Sequence, residues 1–186
     1  MTDYRLLSSQ YLALVDSEAD ALANASNFVG LLFNAIDNIN WLGIYVLRGD
    51  ELVLGPFQGK PACVRIAPGN GVCGTAAATI STQRVADVHE FPGHIVCDAD
   101  SRSEIVVPLV VDEELVGVLD IDSPALDRFS ASDQDGIELS CRTYSNCCPL
   151  VAELFNARNV FLRTRVDFDD FVLIDKQRHP NDGSRR

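Results

Sequence analysis

The sequence is short of basic residues and of long apolar runs, and each shortage excludes a class of protein. A helix that spans a bilayer needs about 20 consecutive apolar residues, and no stretch of this chain approaches that length. The N-terminal segment MTDYRLLSSQYLAL lacks the basic patch and apolar block of a secretory signal. The net charge of −12 would repel nucleic-acid phosphates. We therefore expect a cytoplasmic protein with neither a membrane nor a nucleic acid as partner.

Common metal and phosphate motifs are also missing. The sequence has no CxxC pair and no HExxH segment. A mixed zinc site would combine side chains whose spacings match no common zinc module: His89, His94 and Cys97 with Cys63 or Cys73. The glycine-rich segment GNGVCG departs from both the P-loop and the dinucleotide-binding pattern. We therefore expect neither a metal nor a cofactor.

Apolar spacing predicts helices at both ends of a domain that contains two hairpins. Residues 3–36 predict two helices broken near 15–17, with Asp16 or Ser17 as the second N-cap, and a further helix begins at Ser132. Runs rich in β-branched residues predict hairpins over 41–54 and 104–121. Hairpin strands pair antiparallel, so the fold class is α+β, one antiparallel sheet flanked by N- and C-terminal helices.

Shorter elements and a tail complete the predicted organisation. Between the hairpins we expect a strand at Cys63–Ile66, a helix at Gly71–Ser81, a strand at Val85–Val88 and a long loop to Ser101. Pro108 cannot donate to a ladder, so it predicts a sheet edge or a bulge. The domain is predicted over residues 1–158, followed by a C-terminal extension over 159–186. The final helix carries three cysteines, for which packing is the expected role: Cys141, Cys147 and Cys148.

The other three of the six cysteines lie in a segment of loop-forming and small apolar residues. They are Cys63, Cys73 and Cys97. A cysteine that only fills a core usually lies within an apolar run, whereas Cys97 is followed directly by Asp98. Loops on a rigid scaffold concentrate functional side chains. The residues alone leave two hypotheses open, namely packing and redox chemistry in which a second thiol captures a sulfenic acid.

Three carboxylates occur in strands that are otherwise apolar. Glu104 begins one strand (SEIVVPL), and Asp120 and Asp122 end another (GVLDIDSP). The strand period of two places Asp120 and Asp122 on the same sheet face. Because a buried carboxylate is costly unless it is paired, the three together predict a site that binds a cation or manages a proton. Asp122 alone could simply end a strand before a turn.

Two aromatic residues share a face of the first predicted strand. Trp41, the one tryptophan of the chain, and Tyr45 are four residues apart. Aromatic residues on a strand are core residues by default. The pair could equally wall a small pocket that takes an apolar group beside the carboxylates.

Four segments resemble a known enzyme family: GPFQGKPACVRI, GNGVCGTAA, DVHEFPGHIVCDADSRSEIVVPL and GVLDIDSP. They are similar to those of the free methionine-(R)-sulfoxide reductases. These are single GAF-domain enzymes that reduce the free amino acid sulfoxide rather than protein-bound residues. The similarity covers about residues 35–130. The resemblance therefore implies a GAF domain and the reduction of free L-methionine-(R)-sulfoxide.

The resemblance also implies a role for each loop cysteine. Cys97 matches the nucleophile that attacks the sulfoxide sulfur. Cys63 matches the recycling cysteine that forms a disulfide with it, and Cys73 matches a third cysteine of supporting or recycling role. The disulfide left after each cycle needs an external dithiol, and the resemblance implies thioredoxin.

The same resemblance implies the roles of the pocket residues. Glu104, Asp120 and Asp122 match the acidic groups that hold the substrate ammonium and assist protonation of the leaving oxygen. Trp41 and Tyr45 match pocket aromatics, with Trp41 facing the substrate methyl. These five residues form the predicted substrate site.

Two points lie outside what the resemblance settles. The extension after Asn159 has no recognised counterpart in the family, and it could pack on the domain or make homodimer contacts. A non-catalytic GAF sensor that binds a small molecule is the alternative function, because a fold does not fix a function.

Overall fold

The computed structural model describes residues 2–93 and 98–147. Within them the helices and strands follow the predicted order, with helices at both ends and two hairpins between. The predicted extension, 159–186, lies outside the described residues. Among the helices that are described, none combines the length and the apolar character that crossing a bilayer requires. The elements are α1 (Tyr4–Val15), α2 (Ala21–Ala35), β1 (Trp41–Arg48), β2 (Glu51–Gln58), β3 (Arg65–Ile66), α3 (Gly71–Thr79), β4 (Gln83–Val85), β5 (Ser103–Val111), β6 (Glu114–Ser123) and α4 (Ala131–Cys147).

The strands form a six-stranded sheet in the order β3-β2-β1-β6-β5-β4. Each neighbouring pair is antiparallel. β1 and β6 come from different hairpins and pair in the middle of the sheet. The predicted α+β class is confirmed, and the two hairpins meet where the predicted aromatic and acidic residues lie.

Alternate residues of the central strands point to two different clusters. Leu42 and Ile44 of β1 belong to a large core built with α1, α2 and α4. Trp41 and Tyr45 belong to a second cluster, which includes residues of α3. Three helices therefore cover one face of the sheet, and α3 packs on the other. The strand period of two places every predicted pocket residue of β1 on the α3 face.

The N-cap of α2 differs from the prediction. Asp20 caps this helix, because its side chain accepts a hydrogen bond of 2.8 Å from the backbone N–H of Ala23. Asp16 instead ends α1. The link between the two helices is therefore longer than the predicted break near 15–17, and neither Asp16 nor Ser17 lies at the start of α2.

The short strands also differ in their bounds. The strand expected at Val85–Val88 ends at Val85, because a single 3-10 turn begins at Val88 after its N-cap Asp87. β3 is shorter than expected and begins at Arg65. The edge prediction for Pro108 is confirmed, since in the described part of the chain β4 pairs with β5 no further than Val106.

Candidate active site

A small pocket opens on the α3 face of the sheet. Its walls come from β1, from the segment after β2, from the first turn of α3, from the segment that precedes β5 and from the two strands β5 and β6. The structure brings six of the predicted site residues together there: Trp41, Tyr45, Cys73, Glu104, Asp120 and Asp122.

One wall of the pocket is aromatic. The Trp41 ring stacks near Tyr45 and Phe57, with ring centroids 5.9 Å and 5.6 Å apart. Gly43 makes this possible, because a Cβ at that position would lie 2.4 Å from Cη2 of Trp41. The absence of a side chain lets the indole lie flat against its own strand. The result is a continuous apolar surface beside polar groups, as in many small-molecule sites.

The same aromatic residues hold the segment that carries Cys63. The indole N–H of Trp41 donates to the backbone carbonyl of Lys60 at 3.0 Å, and the Tyr45 hydroxyl donates to the carbonyl of Cys63 at 3.1 Å. Gly59 allows the close approach, since its φ is +124° and a Cβ there would lie 2.6 Å from Cδ1 of Trp41. Cys63 is half-buried, and its neighbour Ala62 lines the pocket.

Strand register brings the three predicted carboxyl groups together. Asp122 pairs with Glu104 across the β5–β6 ladder and with Trp41 across the β1–β6 ladder. Asp120 is two residues away on the same face and pairs with Gly43. Cross-strand neighbours have Cβ atoms about 5 Å apart, so the acidic cluster lies directly against the aromatic wall.

Burial changes the acidity of these carboxyl groups unequally. Glu104 is 5% exposed and Asp120 is 7% exposed, whereas Asp122 is half-buried. Burial, followed by the charge of Asp120, raises the pKa of Glu104 and of Asp122 well above the usual range. Burial raises the pKa of Asp120 only to about 6, because hydrogen bonds from Cys73 and Glu104 favour its ionised form. Asp120 therefore ionises first.

Cys73 lies in the first turn of α3 and faces the acidic cluster. Its Sγ is 3.9 Å from Oε1 of Glu104. A helix N-terminus normally favours a thiolate. Here burial and then the charges of Asp120 and Glu104 raise the pKa of the thiol well above its ordinary value. The raised pKa makes Cys73 a protonated thiol and a weak nucleophile near neutral pH.

Lys60 joins two segments at the mouth of the pocket. Its Nζ lies 3.1 Å from Oδ1 of Asp98 and 2.5 Å from Oδ2 of Asp100. The backbone N–H of Asp100, together with Lys60, lowers the pKa of Asp98. The segment that carries Cys63 is thus linked to the residues that directly follow Cys97 in the sequence.

Cys63 and Cys97 are the two other cysteines predicted for the site. Cys63 packs in the same apolar cluster as the pocket wall. Cys97 lies outside the described residues, so its predicted role as nucleophile stays a prediction. Asp98, which follows Cys97 in the sequence, lines the pocket.

Sequence reasoning missed four polar residues around the pocket. Asn40 donates to Oδ2 of Asp98 at 3.3 Å and to Oγ of Ser101 at 3.0 Å. Asp98, Ser101 and Lys60 line the pocket itself. The sequence did indicate three of them, because Lys60, Asp98 and Ser101 lie inside the motifs that carry the family resemblance. Without a three-dimensional arrangement, loop polar residues look alike.

Other candidate residues lie elsewhere. Cys141 is buried in the core on the opposite side of the sheet, as expected for packing, and Cys147 packs against that core. His89 is exposed, with its Nδ1 2.9 Å from Oδ1 of Asp87, and it does not line the pocket. His94 and Cys148 lie outside the described residues.

Comparison with known proteins identifies the family. The GAF domain family matches residues 5–146. The free methionine-R-sulfoxide reductase of Escherichia coli is 53% identical over 134 residues, which cover 72% of this chain and 81% of that protein. The enzyme of the same name from Saccharomyces cerevisiae is 42% identical over 146 residues, which cover 74% of this chain and 81% of that protein.

The solved structure of a relative has the same fold. The free methionine-R-sulfoxide reductase of Neisseria meningitidis, in complex with its substrate, superposes with a TM-score of 0.76 at 40% identity. The match covers 81% of this chain and 91% of that chain. The resemblance predicted from the motifs is thus confirmed, and the chain belongs to the GAF-domain family that includes the free methionine-R-sulfoxide reductases.

Proposed function

We propose that this protein reduces free L-methionine-(R)-sulfoxide to L-methionine. The observation that carries the proposal is the buried acidic cluster that faces the aromatic wall of one small pocket. The substrate offers an ammonium for the acids, a methyl for the indole and an oxygen that needs a proton. The names of the Escherichia coli and Neisseria meningitidis relatives support the same substrate.

The unequal acidity of the carboxyl groups suggests how the substrate is held. Asp120 ionises first, and it is the group that pairs with the ammonium. The methyl group packs on Trp41. The substrate carboxylate faces the backbone N–H groups at the start of α3, whose N-cap Asn70 makes no side-chain hydrogen bond with the helix. A peptide-bound sulfoxide lacks the free ammonium and is therefore a poor substrate.

Proton transfer falls to the carboxyl groups that stay protonated. Glu104 and Asp122 have a pKa well above the usual range, so each can act as a general acid near neutral pH. The Cys97 thiolate attacks the sulfoxide sulfur while one of these acids protonates the oxygen. The oxygen is transferred to Cys97 as a sulfenic acid, and methionine leaves reduced by two electrons.

Recycling needs a second thiol and then an external reductant. The Cys63 thiol displaces the oxygen of the Cys97 sulfenic acid as water, and a disulfide forms. An external dithiol, for which thioredoxin is our proposal, reduces this disulfide by thiol–disulfide exchange. Cys73, which lines the pocket, has a supporting role in this cycle. We also propose a cytoplasmic location and assembly as a homodimer.

A turnover measurement tests the proposal. The reduced full-length chain is incubated with free methionine-(R)-sulfoxide and dithiothreitol, and the methionine formed is quantified. We expect catalytic turnover, with the S-sulfoxide and an N-acetylated substrate much slower. A non-catalytic sensor would bind the sulfoxide without forming methionine, and that result would overturn the proposal.

A further inference from the structure

We infer that Cys73, Glu104 and Asp120 form a binding site for a thiophilic divalent cation such as Zn²⁺ or Cd²⁺. One ligand atom from each of these three buried residues lies within 4.8 Å of the other two. The Sγ of Cys73 and Oε1 of Glu104 are 3.9 Å apart. Two ligands of one tetrahedral zinc ion, at about 2.3 Å and 2.0 Å from the metal, are roughly 3.5 Å apart. The Cys73–Glu104 pair is therefore close to the spacing of two zinc ligands.

An independent observation is an orphaned polar atom. Oδ1 of Asp120 is buried and finds no hydrogen-bond partner among the described residues. A buried carboxylate oxygen without a partner is costly, and Asp120 lines the pocket. Within the residues that the structure describes, one oxygen of the Asp120 carboxylate is therefore without a donor beside the thiol of Cys73 and the carboxyl group of Glu104.

The charges around the pocket favour a cation. Among the described residues that line it, Lys60 alone carries a positive charge. Its Nζ is already engaged by Asp98 and Asp100 at the mouth. The acidic groups deeper in the pocket have no such partner. A divalent ion would supply the missing charge, and the thiol proton together with any carboxylic protons would leave to solvent.

The donor set selects the kind of metal. A thiolate with two carboxylates suits zinc and cadmium, whereas magnesium and calcium prefer oxygen ligands alone. Asp122, on the same sheet face as Asp120, and water molecules are available for the remaining positions. The site shares Cys73 with the mixed zinc site weighed from the sequence. It uses carboxylates in place of histidines, and His89 does not line the pocket.

The metal would occupy the place proposed for the substrate ammonium. Divalent cations should therefore compete with the amino acid, and this part rests on the proposed function. Metal binding itself does not depend on that function. The two can be separated by measuring metal binding first, without substrate.

The test uses Cd²⁺ alone, because a thiolate bound to cadmium gives an ultraviolet charge-transfer absorption. The reduced full-length Cys97→Ser chain removes the proposed nucleophile as a competing ligand. We expect one Cd²⁺ per chain. The affinity should fall by at least about 100-fold after the added change Cys73→Ser, because loss of a group that only orients a ligand already costs about 10–100-fold. Cys63→Ser and Cys141→Ser, each added in the same way, should leave the absorption and affinity unchanged.

Two outcomes would overturn the inference. The first is a cadmium absorption that survives the loss of Cys73, or that disappears with Cys63 instead. The second is the absence of binding in a folded Cys97→Ser chain, as checked by circular dichroism. A second variant, Asp120→Asn, keeps the thiol and the residue shape, and it should also weaken Cd²⁺ binding. Competition with free methionine is then measured separately, so failure of the proposed function leaves the metal result interpretable.

Discussion

Asp120 differs in acidity from the two carboxyl groups beside it, although all three lie on one sheet face. Hydrogen bonds from Cys73, from Glu104 and from the backbone at Ile121 favour its ionised form and partly offset burial. Glu104 and Asp122 instead feel the charge of Asp120, which raises their pKa further. The neighbouring groups thus make Asp120 the anion of the cluster and leave Glu104 and Asp122 as its proton donors.

The first prediction follows from this division. Asp120→Asn should raise the KM for free methionine-(R)-sulfoxide about 10- to 100-fold, because a charged hydrogen bond is worth about 1.5–3 kcal/mol. Steady-state kinetics measure the change. Asp135→Asn, on the exposed start of α4, should leave KM unchanged. An unaltered KM in Asp120→Asn would show that another group holds the ammonium.

A second prediction separates the cysteines. In a single turnover without reductant, Cys97→Ser should release no methionine, whereas Cys63→Ser should release about one equivalent. With thioredoxin present, Cys63→Ser should then stall, because it cannot form the disulfide that thioredoxin reduces. Quenched-flow sampling and intact mass spectrometry follow the methionine and the loss of two thiol hydrogens. Full activity of Cys97→Ser would refute the assignment of the nucleophile, and continued thioredoxin-dependent turnover of Cys63→Ser would refute that of the recycling thiol.

At the scale of elements, the flat indole of Trp41 depends on β1 having no side chain at Gly43. Gly43→Ala would place a Cβ 2.4 Å from the ring. We expect a loss of about 1–3 kcal/mol in the free energy of unfolding, because overpacking forces neighbours to move. Urea denaturation measures the loss, and a raised KM should accompany it.

Gly30 provides the matched control. It lies within α2, where a Cβ would meet no atom within 4 Å. Gly30→Ala should therefore stabilise the protein by about 0.5–1 kcal/mol through helix propensity, with an unchanged KM. Equal effects of the two substitutions would mean that the Trp41 packing plays no part.

The ion pairs of Lys60 also act at the scale of elements, because they join the segment that follows β2 to the segment that precedes β5. Lys60 is exposed, so its ion pairs contribute little to stability and are weakened by salt. Lys60→Met should slow formation of the Cys63–Cys97 disulfide about two- to fivefold at low salt, as followed by trapping the sulfenic acid. Arg65→Met, which breaks the exposed pair with Glu51, is the control. Equal rates would refute the positioning role.

Local patterns predicted the elements well and their ends less well. Apolar spacing gave the helices and both hairpins, since burial of one face is a property of the segment itself. The cap at Asp20 and the short β4 depend on where the chain leaves one element for another, which periodicity does not encode. Alternation placed Asp120 and Asp122 on one face. Their contact with Glu104 and Cys73, and therefore their unequal acidity, required the strand register.

At the scale of the whole molecule, the acidic pocket should make stability depend on pH. A carboxyl group whose pKa is raised by folding binds more protons in the folded state, so its contribution to stability is lost as pH rises. For Asp120 the loss runs from about pH 4 to about 6, and for Glu104 it extends higher because the pKa of that group is raised further.

The corresponding prediction compares two variants. The free energy of unfolding of the substrate-free protein, from urea titrations between pH 5 and 8, should fall with rising pH. Glu104→Gln should flatten this fall, whereas the exposed change Asp135→Asn should leave its slope as in the unmodified chain. An unchanged slope in Glu104→Gln would show that Glu104 is not protonated in the folded pocket.

The central pairing of β1 with β6 has a consequence for folding fidelity. A slip of one residue in this ladder would turn Asp120 toward the helices and Ile121 toward the pocket. The same alternation thus encodes both the core and the site, so a slip of one residue would spoil both. The activity recovered after refolding would therefore report the fraction of molecules with the correct strand register. A spectroscopic signal of compactness alone would not report it.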